Sequence, residues 1–186
     1  FQDFNNKVHF NILIDQASLA TNDIRYFYNE IGKNQTFNLK AHVTGTLNDL
    51  TARQMKLIDS KNSQIVGNVN FRNLFGNSNQ PFYMKGDFNK VASNYNDLIT
   101  LLPNVLGTKL PSSLKKLGQF NIRGKAEITT KSIVTDFYMT TALGNIQSDL
   151  SMTNIDHIDD ANYEGNIILE EFNIGSFTGE KGLGKV

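Results

Sequence analysis

Apolar and polar side chains alternate with a period of two along most of this chain, the pattern of strands that bury one face. Val8, Phe10, Ile12 and Ile14 alternate with His9, Asn11, Leu13 and Asp15, and Phe37, Leu39, Ala41 and Val43 with Asn38, Lys40, His42 and Thr44. Phe82, Met84 and Phe88 alternate with Tyr83, Lys85 and Asp87; Phe120, Ile122, Ala126 and Ile128 with Asn121, Arg123, Lys125 and Glu127. Stretches 133–141, 145–153 and 162–169 repeat the pattern with more noise. One-sided alternation predicts antiparallel strands, because parallel sheets are covered on both faces.

Glycines punctuate these strands. Gly45, Gly67, Gly86, Gly124, Gly144 and Gly165 recur about every 20 residues with one interval doubled. Gly67 shares its stripe with Ile65, Val69 and Phe71, Gly86 with Met84 and Phe88, Gly124 with Ile122 and Ala126, and Gly165 with Tyr163, Ile167 and Leu169. A glycine inside a strand marks a bend or a close backbone approach. Its recurrence predicts a mainly β fold over residues 1–186, a curved antiparallel sheet forming an elongated, groove-like array of hairpin units. The alternative is an ordinary β-sandwich with glycines at strand ends.

The doubled interval predicts a short helical insertion between about Asn96 and Gly118. Leu98, Leu101, Leu102, Val105 and Leu106 follow helical spacing behind a cap at Asn96 or Asp97, and Pro103 limits the helix. A second turn, opened by Pro111 and stopped at Gly118, presents Leu110, Leu114 and Leu117. A weaker helix is expected from Asn22 to Ile31, stopped by Gly32. These pieces read as lids on an open sheet edge or trough end, since they lack the Lys/Arg-rich face of a membrane-surface helix.

Composition narrows the function. The 186 residues carry 18 Lys+Arg and 18 Asp+Glu, so the chain lacks the positive charge that nucleic acid requires. No apolar run approaches the roughly 18 residues of a membrane span. Absence of Cys removes disulfides, thiolate metal sites and a cysteine nucleophile. Abundant Asn and Gly supply turns. Opening at Phe1 and stopping in Gly182-Leu183-Gly184-Lys185-Val186, the chain reads as a piece of something longer.

Catalytic constellations are scarce. Asp156-His157-Ile158-Asp159-Asp160 is the one carboxylate–imidazole cluster, and it lacks the central Gly and distant Glu of a calcium loop. It reads as a solvated turn; a metal-dependent hydrolase built on Asp156, His157, Asp159 and Asp160 is the minor alternative. No nucleophile elbow, zinc-protease motif or phosphate loop occurs, and Asn34-Gln35-Thr36 is a lone glycosylation sequon. The chain is expected not to be an enzyme and to need no cofactor.

What remains is the apolar stripe. If the sheet folds into a trough, Ile65, Val69, Phe71, Phe82, Met84, Phe88, Phe120, Ile122, Ile128, Ile167 and Leu169 line its inner wall. Such a wall suits lipid acyl chains, whose burial gains roughly 0.8 kcal/mol per methylene. A closed core filled by the same side chains is the other reading. In a groove, a charge at Val69, Phe71, Phe88, Ile122 or Ile128 is expected to block passage more than to unfold the chain.

Several segments also resemble the TamB family of the AsmA-like superfamily, in its Bacteroidetes form. They are Ser18-Leu19-Ala20-Thr21-Asn22-Asp23-Ile24-Arg25-Tyr26-Phe27, Val43-Thr44-Gly45-Thr46-Leu47-Asn48-Asp49-Leu50, Leu101-Leu102-Pro103, and Leu110-Pro111-Ser112-Ser113-Leu114-Lys115-Lys116-Leu117-Gly118. Thr141-Ala142-Leu143-Gly144 and Asn162-Tyr163-Glu164-Gly165 complete the set, whose order covers most of the chain. The resemblance implies a middle segment of a periplasmic β-taco, an apolar-lined groove anchored elsewhere in the inner membrane. It further implies lipid movement between the two membranes, or outer-membrane protein assembly with a Bam-like barrel partner, and no catalytic residues. A chaperone module that binds outer-membrane protein strands by strand addition is the alternative from a different class.

Overall fold

The structure is a computed structural model that describes residues 3–25, 31–61, 63–74, 81–101, 103, 110–157 and 160–186. Nine strands form one antiparallel sheet: β1 (Phe10–Ala20), β2 (Thr36–Thr46), β3 (Asp49–Asp59), β4 (Gln64–Arg72), β5 (Tyr83–Asn94), β6 (Gln119–Thr129), β7 (Ser132–Thr141), β8 (Gly144–Thr153) and β9 (Asn162–Glu170). Their spatial order is their chain order, and the sheet is curved without closing on itself. The expected mainly β, curved antiparallel architecture is therefore the one observed.

Short helices decorate the strand ends: α1 (Phe4–Lys7), α2 (Thr21–Ile24), α3 (Tyr95–Leu101), a 3-10 turn (Ser112–Leu117) and α4 (Ile174–Thr178). The insertion between β5 and β6 thus holds α3 and the 3-10 turn, but its cap is neither Asn96 nor Asp97. Asn94 caps α3, its Oδ1 accepting the Asp97 N–H at 3.0 Å, and β5 runs directly into the helix. Tyr95 and Leu117 are buried, and the Tyr95 hydroxyl donates to the Leu110 carbonyl at 3.2 Å. Leu102, Val105 and Leu106 lie outside the described residues. Gly118, at φ 65°, ends the 3-10 turn as its spacing requires. The helix expected over 22–31 is described only as the single turn α2, and 26–30 lie outside the described residues.

Curvature has two local sources. In the first half the pairing register slips by one residue inside β1 (Ile14 to Ala17), β3 (Ala52 to Met55) and β5 (Phe88 to Val91). Such bulges bend a strand and raise its twist. At the β3 bulge Gln54 takes φ 50°, and its N–H donates to Asn68 Oδ1 at 2.9 Å. This slip explains why β3 does not read as a strand in the sequence. Its apolar positions are Leu50 and Ala52, then Met55 and Leu57, so the alternation changes phase midway.

In the second half β6 to β9 pair without slips, and glycine supplies the bend. Gly124 sits at φ 149°, where a side chain would be strained, and an added Cβ would lie 2.2 Å from the Asp136 carbonyl oxygen. Gly67 faces a comparable approach, 2.3 Å from the Asp87 carbonyl oxygen. The cross-strand pairs set Gly86 and Gly165 in one line and Gly67 and Gly124 in the adjacent one, a band across mid-sheet. Gly45 and Gly144 depart from this band and sit at strand ends beside turns.

Gly124→Ala and Gly67→Ala should each cost about 2–3 kcal/mol, because backbone atoms must move to admit the methyl group. Gly182→Ala, where nothing lies within 4 Å of the added atom, should cost no more than a few tenths. Urea denaturation midpoints of the three variants check this.

Candidate functional site: an apolar sheet face

Paired residues in an antiparallel sheet share a face, so the strand registers define rows that run across the strands. One row reads Phe10, Gly45, Leu50, Phe71, Met84, Ile128, Ile133, Met152, Tyr163. The next is Ile12, Val43, Ala52, Val69, Gly86, Ala126, Thr135, Leu150, Gly165. Beyond it Met55, Gly67, Phe88, Gly124, Phe137, Ser148 and Ile167 line up, and then Leu39, Leu57, Ile65, Val91, Ile122, Met139, Ile146 and Leu169. These four rows carry almost no polar side chains.

All eleven residues proposed from the sequence lie on this face. Nine cluster on β4, β5 and β6 or beside them. Phe82 precedes β5 and sets its ring 6.4 Å from that of Phe71, and Phe120 pairs with Ser93 at the helix-capped end. Ile167 and Leu169 lie three strands away, on the edge strand β9, and Ile167 is 67% exposed. Between the two groups β7 and β8 contribute Ile133, Phe137, Met139, Ile146, Leu150 and Met152, which the candidate set lacks. Their alternation was legible over 133–141 and 145–153. On the other side β3 adds Leu50, Met55 and Leu57, hidden by the bulge.

Phe88 sits at the centre. It pairs with Gly67 on one side and Gly124 on the other, and its ring covers Gly86 so closely that a Cβ there would come within 2.3 Å of it. Three glycines thus cradle one aromatic ring, which becomes the floor of the apolar face.

Shelter is graded. Val69 is 2% exposed and Ala41, Ala52 and Phe120 are buried, whereas Ile65, Phe71, Met84, Phe88, Ile122 and Ile128 are half-buried. Among the described residues no second sheet covers them. The chain exposes 11886 Å², where a compact monomer of its mass exposes about 9,000 Å². Val69 also departs from the other groove residues in what a charge would do there. At 2% exposure the charge would be stripped of water, so it would unfold the chain rather than only obstruct the face.

The opposite face is mainly polar, with Leu13, Val134 and Ile168 exposed on it. Lys85 Nζ meets Glu127 Oε1 at 2.6 Å, and the Tyr83 hydroxyl donates to Glu127 Oε2 at 3.1 Å. These bonds, from Lys85 first and Tyr83 second, hold the Glu127 carboxyl below its ordinary value. Arg123 stacks on Tyr138 at 4.9 Å, and a shallow depression of about 610 Å³ between Asp87, Arg123, Asp136, Tyr138 and Gln147 opens to water. His42 bonds Asn11 Oδ1 at 2.7 Å on this face, and His157 is exposed. Asp156 lies 4.0 Å from both Lys131 and His157, and Asp159 is outside the described residues. Among the described residues no three His, Cys, Asp or Glu side chains converge as metal ligands.

Comparison with protein-family models, with characterised proteins and with solved structures finds no match for this chain.

Val69→Asp should lower stability by at least 3 kcal/mol, whereas Ile167→Asp should leave it within about 0.5 kcal/mol, as read from urea midpoints. Asp149 gives a pH-dependent test. The Asn166 backbone N–H, then its amide, bonds the Asp149 carboxylate and lowers its pKa, fastening β9 to β8. A carboxylate with a lowered folded-state pKa stabilises above its unfolded value and loses that contribution as pH falls through the folded one. Hydrogen exchange in β9 should therefore rise on acidification, and Asp149→Asn should remove most of that dependence.

Proposed function

We propose that this chain is a non-catalytic conduit whose apolar face shelters lipid acyl chains in transit between two membranes. The observation that carries the reading is the set of mainly apolar rows, two of them crossing all nine strands, half-buried at mid-sheet and, among the described residues, without a covering layer. Large apolar surface left open to a solute marks a binding face. Eight strand spacings make a track of about 38 Å, more than twice the roughly 15 Å that one acyl chain occupies in a bilayer leaflet. Full transfer of a chain of about 16 carbons from water is worth on the order of 13 kcal/mol, so even a half-sheltering face holds it while leaving it free to move along.

The resemblance to TamB-like proteins supports the same reading. On it, the chain is a periplasmic segment of an inner-membrane-anchored protein, passing phospholipid toward the outer membrane or serving outer-membrane protein assembly with a Bam-like barrel. A chaperone module that takes client strands by edge addition is the second reading. In both readings the polar face is a solvated exterior.

Photocrosslinkers at Phe88 and Ile122, on protein purified from a bacterial envelope, should recover phospholipid. The same groups at Lys85 and Arg123, on the polar face, should recover little. Equal labelling at both sets, or none in a folded sample, would remove the conduit reading.

A further inference from the structure

The two ends of the strands are built differently. Among the described residues α2, α3, the 3-10 turn and α4 all lie at one end, where β5 stops and β6 begins. The insertion there reaches both ways along that end. Gly32 N–H donates to the Leu101 carbonyl at 2.7 Å and the Gln35 amide to the Thr100 carbonyl at 2.9 Å, joining α3 to the chain that enters β2. Ala142 N–H donates to the Leu117 carbonyl at 2.9 Å, and Lys116 Nζ to the Phe177 carbonyl at 2.8 Å. These bonds join the 3-10 turn to the β7–β8 turn and to α4. Phe120 and its cross-strand partner Ser93 are buried at this end, as are Tyr95, Leu117 and Phe172. At the other end the described residues form turns, with α1 set against the β2–β3 turn, where the Asn48 N–H donates to the Asn5 carbonyl. Phe71, Met84, Ile128, Ile133 and Met152 stand half-buried there, and no residue of their row is buried.

We propose that a phospholipid lies with its acyl chains along the strands, their methyl ends toward Phe120 and the phosphate in water at the turn end. This orientation rests on the conduit reading above. From the row of Ile128 to that of Ile122 a strand advances about 20 Å, enough for the roughly 15 Å that a chain occupies in one bilayer leaflet. The four rows contain no Lys or Arg, so a phosphate drawn onto the face would lose water without gaining a cation. The helical end offers it no better place. Ser93 and Phe120 are buried there, and Lys61 and Lys116 already hold Asp97 and the Phe177 carbonyl. At the turn end the apolar row is half in water, so a headgroup keeps its hydration while its chains are sheltered. Arg72 pairs in register with Asp49 there, and Lys131 lies 4.0 Å from Asp156, so both signs of charge are present and no headgroup class is selected. Held this way, a lipid moves broadside from strand to strand with its chains on mainly apolar rows.

Two photoactivatable lipids test the orientation. Phosphatidylglycerol vesicles are doped with the same lipid carrying a diazirine either beside the carboxyl carbon or at the methyl end of a palmitoyl chain. After irradiation with the chain, peptide mass spectrometry should find the first probe on Phe71, Met84 and Ile128 and the second on Val91 and Ile122. The label thus shifts from one end of β5 and β6 to the other with the position of the diazirine. Reversed labelling, or the same residues labelled by both probes, would overturn the orientation and leave the conduit reading standing. No label on the apolar face of a folded sample would remove the conduit reading and this orientation with it.

Discussion

Among the described residues the sheet has one apolar face and no second layer, so it has to shelter that face with itself, and the rest of this structure follows from that constraint. Packing two layers is the usual solution, because each layer buries the stripe of the other. Here curvature and side-chain size take the place of the missing layer. Bulges in β1, β3 and β5 and a mid-sheet glycine band bend the strands, and the Phe88 ring lies down over Gly86 between Gly67 and Gly124. The outcome is a gradient, with Val69 nearly dry and Ile167 mostly wet.

The ends of the strands need separate treatment, since a bent sheet leaves its rim open. α3 and the 3-10 turn lie at one stretch of rim, where Tyr95 and Leu117 are buried. Polar contacts also hold them. Asp97 accepts from Lys61 at 3.1 Å and Asn94 at 2.6 Å, tying the β3–β4 turn to the start of α3. Lys116 reaches the Phe177 carbonyl at 2.8 Å, joining the 3-10 turn to α4.

Much of this was legible in the sequence where alternation stays in phase. Strands β2, β6, β7, β8 and β9 announce themselves, and so does the shared face of all eleven candidate groove residues. The parts that were not legible share a cause. A bulge inserts one residue and flips the apparent phase, so β3 vanishes from a period-two reading and β1 and β5 seem to end early. The cap at Asn94 was missed because β5 continues without a break into α3, leaving no loop to mark the boundary. Exposure is the remaining gap. No pattern in the residues separates Val69 from Ile167, since both are branched aliphatics on one stripe, and only their positions at mid-sheet and at the edge decide how much water each sees.

Strand order equal to chain order has a kinetic meaning as well. Every strand pairs with the one made just before it, so each hairpin closes over a short stretch of chain, with the insertion between β5 and β6 the longest loop. Loop closure then costs little at each step, and assembly can spread from any hairpin toward both ends. The molecule should behave as a row of nearest-neighbour units, in which damage to one strand loosens the adjoining pair and leaves distant strands folded.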